Sequence, residues 1–232
     1  MKNKRFHGKI GEDFEISALA WPHYKKLQEI LVSKVVYIKG EALEIGCGPG
    51  NVTRMILNSN PKLSVLAIDN EPIMIRQAIK NLKEYIDKKK VKIVEADALD
   101  FLKKSPENRF DLIFSALTIH NFKKDYRHKV LVQIYRKLKK RGIFINLDKY
   151  VVSSKSMHNA NKKWQFKKIQ EGFTRIGRKD LLDEWINHYL EDEHPQVVMS
   201  EDKSKKEMEK IGFREIKVKY RKHMEAILSA TK

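Results

Sequence analysis

The chain has 232 residues, 41% of them hydrophobic, and carries 48 Lys and Arg against 30 Asp and Glu, a formal net charge of +18. That length suits one large domain; no apolar run is long enough to cross a bilayer, the charged start lacks the apolar stretch of a secretory signal, and a lone cysteine excludes an internal disulfide and a cysteine-based zinc site. The expectation is a cytoplasmic protein with no metal site, no membrane partner and an undetermined oligomeric state, whose basic excess reads either as a lysine-rich background or as the mark of a polyanion partner.

Residues 14–36 read as helical segments around Pro22, with Leu27, Ile30, Leu31 and Val35 at helical spacing. Short apolar runs then alternate with amphipathic helices. Residues 41–46, 63–69, 91–97, 109–117 and 142–150 read as strands. Between them, residues 51–60, 71–86 and 126–140 read as helices. Pro72 suits a first helical turn, Ile75, Ala78, Ile79, Leu82 and Ile86 share one face, and Gly142 stops the third helix. Such alternation implies right-handed crossovers and a parallel sheet covered on both faces. Residues 153–200 break the pattern, being helical and polar with aromatic anchors at Trp164, Phe166 and Trp185. Ser200 then caps a helix that ends at Gly212. Residues 213–220 and 224–231 follow as two strands joined by a short turn, which pairs them antiparallel. The whole, 1–232, reads as one domain: a helical lead-in (1–37), a core (38–152), a helical cap insertion (153–200), and a C-terminal helix with an antiparallel strand pair (201–232).

Three of the ten glycines, Gly46, Gly48 and Gly50, fall at alternate positions just after the first strand, around the single Cys47. A glycine-rich turn between a strand and its following helix lets a ligand approach the backbone closely. The spacing is not the G-x-G-x-x-G of dinucleotide sites, and Glu44 stands inside the strand, where a carboxylate would repel a pyrophosphate but suit a cationic ligand. Asp69, at the end of the second strand, can accept from two ribose hydroxyls. Asp97, after the third, can accept from an adenine amino group, with the Ala98 N–H beside it; both aspartates also read as helix caps. Together these describe an adenosine-bearing ligand without a diphosphate. Cys47 reads as a small neighbour of that ligand, with nothing visible to activate a thiol.

At this point the chain resembles the class I S-adenosylmethionine-dependent methyltransferases. LEIGCGPGN looks like their first motif, AIDNEPIMIRQA their second, EADALDF their third and FDLIFSALTIHNF their fourth, over residues 38–150. The resemblance implies an α/β, Rossmann-like seven-stranded methyltransferase sheet with its last strand antiparallel, here with a helical insertion before the sixth strand. It implies S-adenosyl-L-methionine as cofactor, held near Glu44, Gly46, Cys47, Gly48 and Gly50, with Asp69, Asn70, Asp97, Ala98 and Ser115 at the following strand ends. AWPHY resembles a lead-in that lies over the cofactor, which would bring Tyr24 to it.

The fourth strand lacks the Asn/Asp-Pro-Pro-aromatic turn of amino-methylating enzymes of nucleic acids. SALTIHN instead resembles the form found in quinone-type and other small-molecule methyltransferases and in relatives of carboxy-S-adenosylmethionine synthase. His120 is the candidate base there, as a side chain that titrates near neutrality. A small-molecule acceptor is therefore expected. RNA is the second partner class, with modification of the cofactor itself and a non-enzymatic cofactor-binding module as further alternatives. Cationic runs at 87–90 and 136–141 belong to helix C-termini on the far edge, whereas 123–129, with Lys123, Lys124 and Arg127, forms a basic rim at the ligand edge.

Overall fold

The computed structural model describes residues 9–232; the first eight residues, on which the reading of a charged start partly rests, lie outside them. The described chain opens with α1 (Lys9–Glu12), α2 (Phe14–Ala20) and α3 (Tyr24–Ser33). Strands and helices then alternate: β1 (Gly40–Ile45), α4 (Asn51–Ser59), β2 (Leu63–Asp69), α5 (Pro72–Asn81), α6 (Lys83–Asp87), β3 (Val91–Glu95), α7 (Ala98–Lys104), β4 (Phe110–Ala116), α8 (Lys124–Lys137) and β5 (Leu138–Lys149). After β5 come α9 (Lys155–Arg175), α10 (Leu182–Glu191), α11 (Glu201–Ile211), β6 (Arg214–Lys222) and β7 (Glu225–Thr231).

The strands form one seven-stranded sheet in the order β3-β2-β1-β4-β5-β7-β6. The pairs β1/β2, β1/β4, β2/β3 and β4/β5 are parallel, while β7 runs antiparallel to both β5 and β6. Successive residues of β1 feed opposite faces, as a strand of period two requires. Leu43 and Ile45 pack with Leu131 and Ile134 of α8 and Leu102 of α7, whereas Ala42 packs with Leu31 of α3 and Ile56 of α4. Burying each large side chain of these layers contributes roughly 1.5–3 kcal/mol. Strand order reverses between β1 and β4, so the chain diverges to opposite faces there and leaves a crevice at the strand ends.

Several local expectations change. The helix expected over 71–86 is two helices, broken at Leu82, which turns inward to full burial against Gly50. Ile79 thereby leaves the apolar face and is 49% exposed. The helix expected over 126–140 starts earlier, at Lys124, and ends at Lys137, because Leu138 already pairs with Phe110 across the sheet. Gly142 is thus not a helix stop. It sits within β5, where the β4/β5 register shifts and a Cβ would come 2.8 Å from the Lys139 carbonyl oxygen. Of the cations at 136–141, only Arg136 and Lys137 lie in a last helical turn.

Helices α9 and α10 occupy the insertion, and their apolar residues do not form a core of their own. Ile169, Phe173, Leu181, Trp185 and Tyr189 pack with Ile10, Ala20 and Trp21 of the lead-in. Gly172 allows the closest approach: a Cβ there would lie 2.8 Å from the Ala20 carbonyl carbon, and nearer still to its oxygen.

Candidate functional site

A cleft enclosing about 1300 Å³, its open mouth included, lies over the carboxyl ends of β1 to β5, roofed by residues of α2, α3 and α10. The turn after β1 forms its floor. Gly46, Gly48 and Gly50 all have positive φ (71°, 52° and 85°), the conformation that favours glycine. At Gly46 a Cβ would collide with Thr118, while at Gly48 it would meet nothing within 4 Å, so open space lies directly above that backbone. Asn81 fastens the turn from α5 through a 3.1 Å bond to the Pro49 carbonyl. Cys47 is buried and lines the cleft, and burial pushes its thiol well above the ordinary range.

Glu44 is 1% exposed, and the Thr53 hydroxyl of α4 donates to it. Burial, with a smaller contribution from Asp69, raises its carboxyl to about 8. Asp69 accepts from the Gly48 N–H at 2.8 Å and the Glu71 N–H at 3.0 Å, and burial raises it too. Those two bonds leave part of the acceptor capacity of a carboxylate unused. Asn70 is exposed at the rim of the cleft. Asp97 caps α7: its Oδ1 accepts from the Leu99 and Asp100 N–H groups, both at 3.0 Å, and from the Tyr126 hydroxyl at 2.8 Å. Oδ2 takes no part in these three bonds, and Ala98 lines the cleft beside it. Tyr24, at the start of α3, hydrogen-bonds with Gln28 and Asn51, and burial pushes its hydroxyl up to about 12. Ser115 does not line the cleft. Fully buried, it donates to the Ile45 carbonyl at 3.0 Å and ties β4 to β1.

These groups fit an adenosine-bearing cation on two observations: the open space above Gly48, and the buried carboxyl of Glu44 lining the same cleft.

His120 is 5% exposed at the other half of the cleft, beyond β4. Its Nδ1 bonds to Asp148 Oδ1, its backbone N–H donates to Asp148 Oδ2 at 3.1 Å, and its Nε2 lies 3.6 Å from Asp192 Oδ2. Asn146 also donates to Asp148, at 3.2 Å. Lys149 reaches the same Asp192 oxygen at 2.5 Å, with its ammonium 4.6 Å from the ring centres of both Trp21 and Tyr189. Asp148, Lys149, Asp192 and Tyr126 escape a motif search, because the fold alone brings them to His120 and Asp97. Arg127 corrects the expected rim: it is 7% exposed and donates inward to the Phe122 and Val197 carbonyls at 3.2 and 2.7 Å. Among the described residues no group of three or more His, Cys, Asp or Glu is placed to hold a metal ion, and no helix is long and apolar enough to cross a membrane.

A reversed seventh strand, a glycine floor at the switch point and acids at the first three strand ends define a nucleoside-cofactor fold of the methyltransferase type. Residues 42–142 match the family model described as "Methyltransferase domain". The chain is 37% identical over 73 residues to malonyl-[acyl-carrier protein] O-methyltransferase of Paenibacillus sp. (strain JDR-2), spanning 32% of this chain and only 26% of that protein. It is 24% identical over 185 residues to carboxy-S-adenosyl-L-methionine synthase of Sulfurimonas denitrificans, covering 75% of this chain and 74% of that one. A solved structure from Methanococcus maripaludis, described as a candidate S-adenosyl-L-methionine-dependent methyltransferase, superposes with a TM-score of 0.67 at 18% identity, over 100% of this chain and 96% of its own. The matched segment, residues 42–142, is thus a methyltransferase domain, and the chain shares its fold with solved S-adenosyl-L-methionine-dependent methyltransferases.

Proposed function

We propose that the chain transfers the methyl group of S-adenosyl-L-methionine to a small-molecule acceptor. The observation that carries this reading is the division of one cleft into an acidic half over β1 to β3 and a half over β4 and β5 that holds a buried histidine and aromatic rings. When bound, the cofactor supplies a methyl group on a positively charged sulfur. The chain's own residues have the task of alignment and dehydration. Gly48 would let the ligand rest on backbone, Glu44 would face its cationic end, Asp69 would accept from ribose hydroxyls, and Asp97 Oδ2 with the Ala98 N–H would meet the adenine edge. Trp21 and Trp185 would exclude water. His120 would accept a proton at Nε2 where the acceptor must lose one, with Asp148 at Nδ1 fixing the ring and stabilising its charge.

The match to carboxy-S-adenosyl-L-methionine synthase along three quarters of both chains supports a second reading, modification of the cofactor itself. One experiment separates the two. The purified protein is incubated with cofactor labelled in its methyl group and with fractionated metabolites. Label appearing in a small-molecule fraction supports methyl transfer. Retained cofactor heavier by one carboxylate supports the second reading, and absence of both counts against each.

A further inference from the structure

Resting on that reading, we infer that the acceptor carries a carboxylate on a flat aromatic body, and that Lys149 receives the carboxylate in exchange for Asp192. The charge of the cleft divides along the sheet. Glu44, Asp69, Glu71 and Asp97 line the end over β1 to β3, and Lys149, on β5, is the one lysine or arginine among the described residues that line it. Lys149 is 8% exposed, so it faces the cleft from a desolvated position in which an ammonium needs a partner. In this arrangement the partner is Asp192, just past the C-terminus of α10, and its Oδ2 bridges Lys149 Nζ at 2.5 Å and His120 Nε2 at 3.6 Å. Lys149 and His120 line the cleft, whereas Asp192 does not.

The carboxylate of Asp192 therefore reaches, from behind, the two groups that an acceptor's anion would meet from the front. It also stands at the nitrogen by which His120 would take a proton, so a ligand carboxylate that draws Lys149 forward loosens the bridge and opens that nitrogen. The second carboxyl near Lys149, Glu225, is its register partner on β7. Burial raises Glu225 to about 7, so it neutralises the ammonium only in part near neutrality. The wall is aromatic: Trp21 and Trp185 lie 5.6 Å apart and Phe14 and Trp185 6.3 Å apart, ring centre to ring centre, and all three line the cleft. Such a wall favours a flat ring over a saturated chain.

The test is calorimetry on the full chain, first with S-adenosylhomocysteine alone and then, on the loaded protein, with benzoate, 4-hydroxybenzoate and indole-3-acetate against their primary amides. At least one acid should bind about tenfold or more tighter than its amide, as loss of a charge-assisted contact implies. Asp192→Asn, which weakens the internal competitor, should tighten that acid and leave the amide and S-adenosylhomocysteine unchanged. Lys149→Met/Asp192→Leu removes both charges together, so that neither is stranded; it should still bind S-adenosylhomocysteine and bind acid and amide alike. Amides binding as well as acids, no acid binding at all, or acid preference surviving in the double variant would each overturn the inference while S-adenosylhomocysteine still binds. Failure to bind S-adenosylhomocysteine would instead remove the reading on which it rests.

Discussion

Glu44 carries a test that needs no acceptor. Its carboxyl titrates at about 8 in the folded chain against an ordinary 4.5, because burial disfavours the charged form. The folded state therefore binds this proton more tightly than the unfolded state. The stability it contributes is full below about pH 4.5 and is lost as pH rises through about 8. Glu225, raised to about 7, adds a slope of the same sign over a narrower window. Ligand-free protein should thus melt at lower temperature as pH rises from 5 to 8.5 through these groups. Glu44→Gln should flatten the slope and melt higher than the parent at the alkaline end. Parallel melting curves for the two proteins across that range would show that Glu44 is not the group responsible. At this scale the positions of the glycines and acids at the strand ends could be read in advance, because a turn or a strand end constrains residue type. That of Ser115 could not. One position inside the end of β4 turns a side chain from the cleft into the sheet, and its hydroxyl finds the Ile45 carbonyl instead. Asp97 is the helix cap that one reading made of it, and the cap occupies Oδ1 alone among its three bonds.

The elements were legible where the period was long and clear. They slipped where a tertiary contact outweighed it, at Leu82 beneath Gly50 and at Leu138 beside Phe110. The association of α9 and α10 with the lead-in joins segments about 150 residues apart through Trp21, Phe173 and Trp185. Trp164 of α9 adds a second tie: its ring stacks on His223 at the β6–β7 turn, with centres 3.7 Å apart, and on His23 at 5.7 Å on the lead-in. If these helices form a cover that closes on ligand, the helix crossing at Gly172 is its most sensitive point. Gly172→Ala should push α9 off the Ala20 backbone and cost about 1–3 kcal/mol, as overpacking does. Hydrogen exchange should then speed in α2, α9 and α10 while the strands stay protected. Unchanged exchange in those three helices would mean that the crossing is looser than the geometry implies.

For the whole molecule, the charge of +18 suggested a polyanion more strongly than its placement does. Arg127 is spent on internal carbonyls, Lys139 pairs with Asp111 at 2.8 Å, and Arg178 pairs with Asp13 and Asp180 at 2.6 and 2.9 Å. Association with total tRNA should therefore be weak, with affinity near the 10⁻⁴–10⁻⁶ M typical of non-specific binding at physiological salt. Filter binding at roughly 50 and 200 mM salt measures it. Tight binding that falls steeply over this interval, together with methyl incorporation into RNA, would make RNA the acceptor. What the sequence could not disclose at this scale is where the excess positive charge lies, since the net count already sets every acid against a base and only the fold places the remainder.

The central claim is that the cleft over β1, β2 and β3 holds S-adenosyl-L-methionine, and Asp69 tests it most directly. Calorimetry with S-adenosylhomocysteine on the purified chain should give one site. Asp69→Ala should weaken that site by about 1.5–3 kcal/mol, the value of hydrogen bonds to a charged group, or roughly tenfold to a hundredfold in affinity, without loss of the folded state. No binding by the parent chain, or equal affinity in the folded variant, would contradict it.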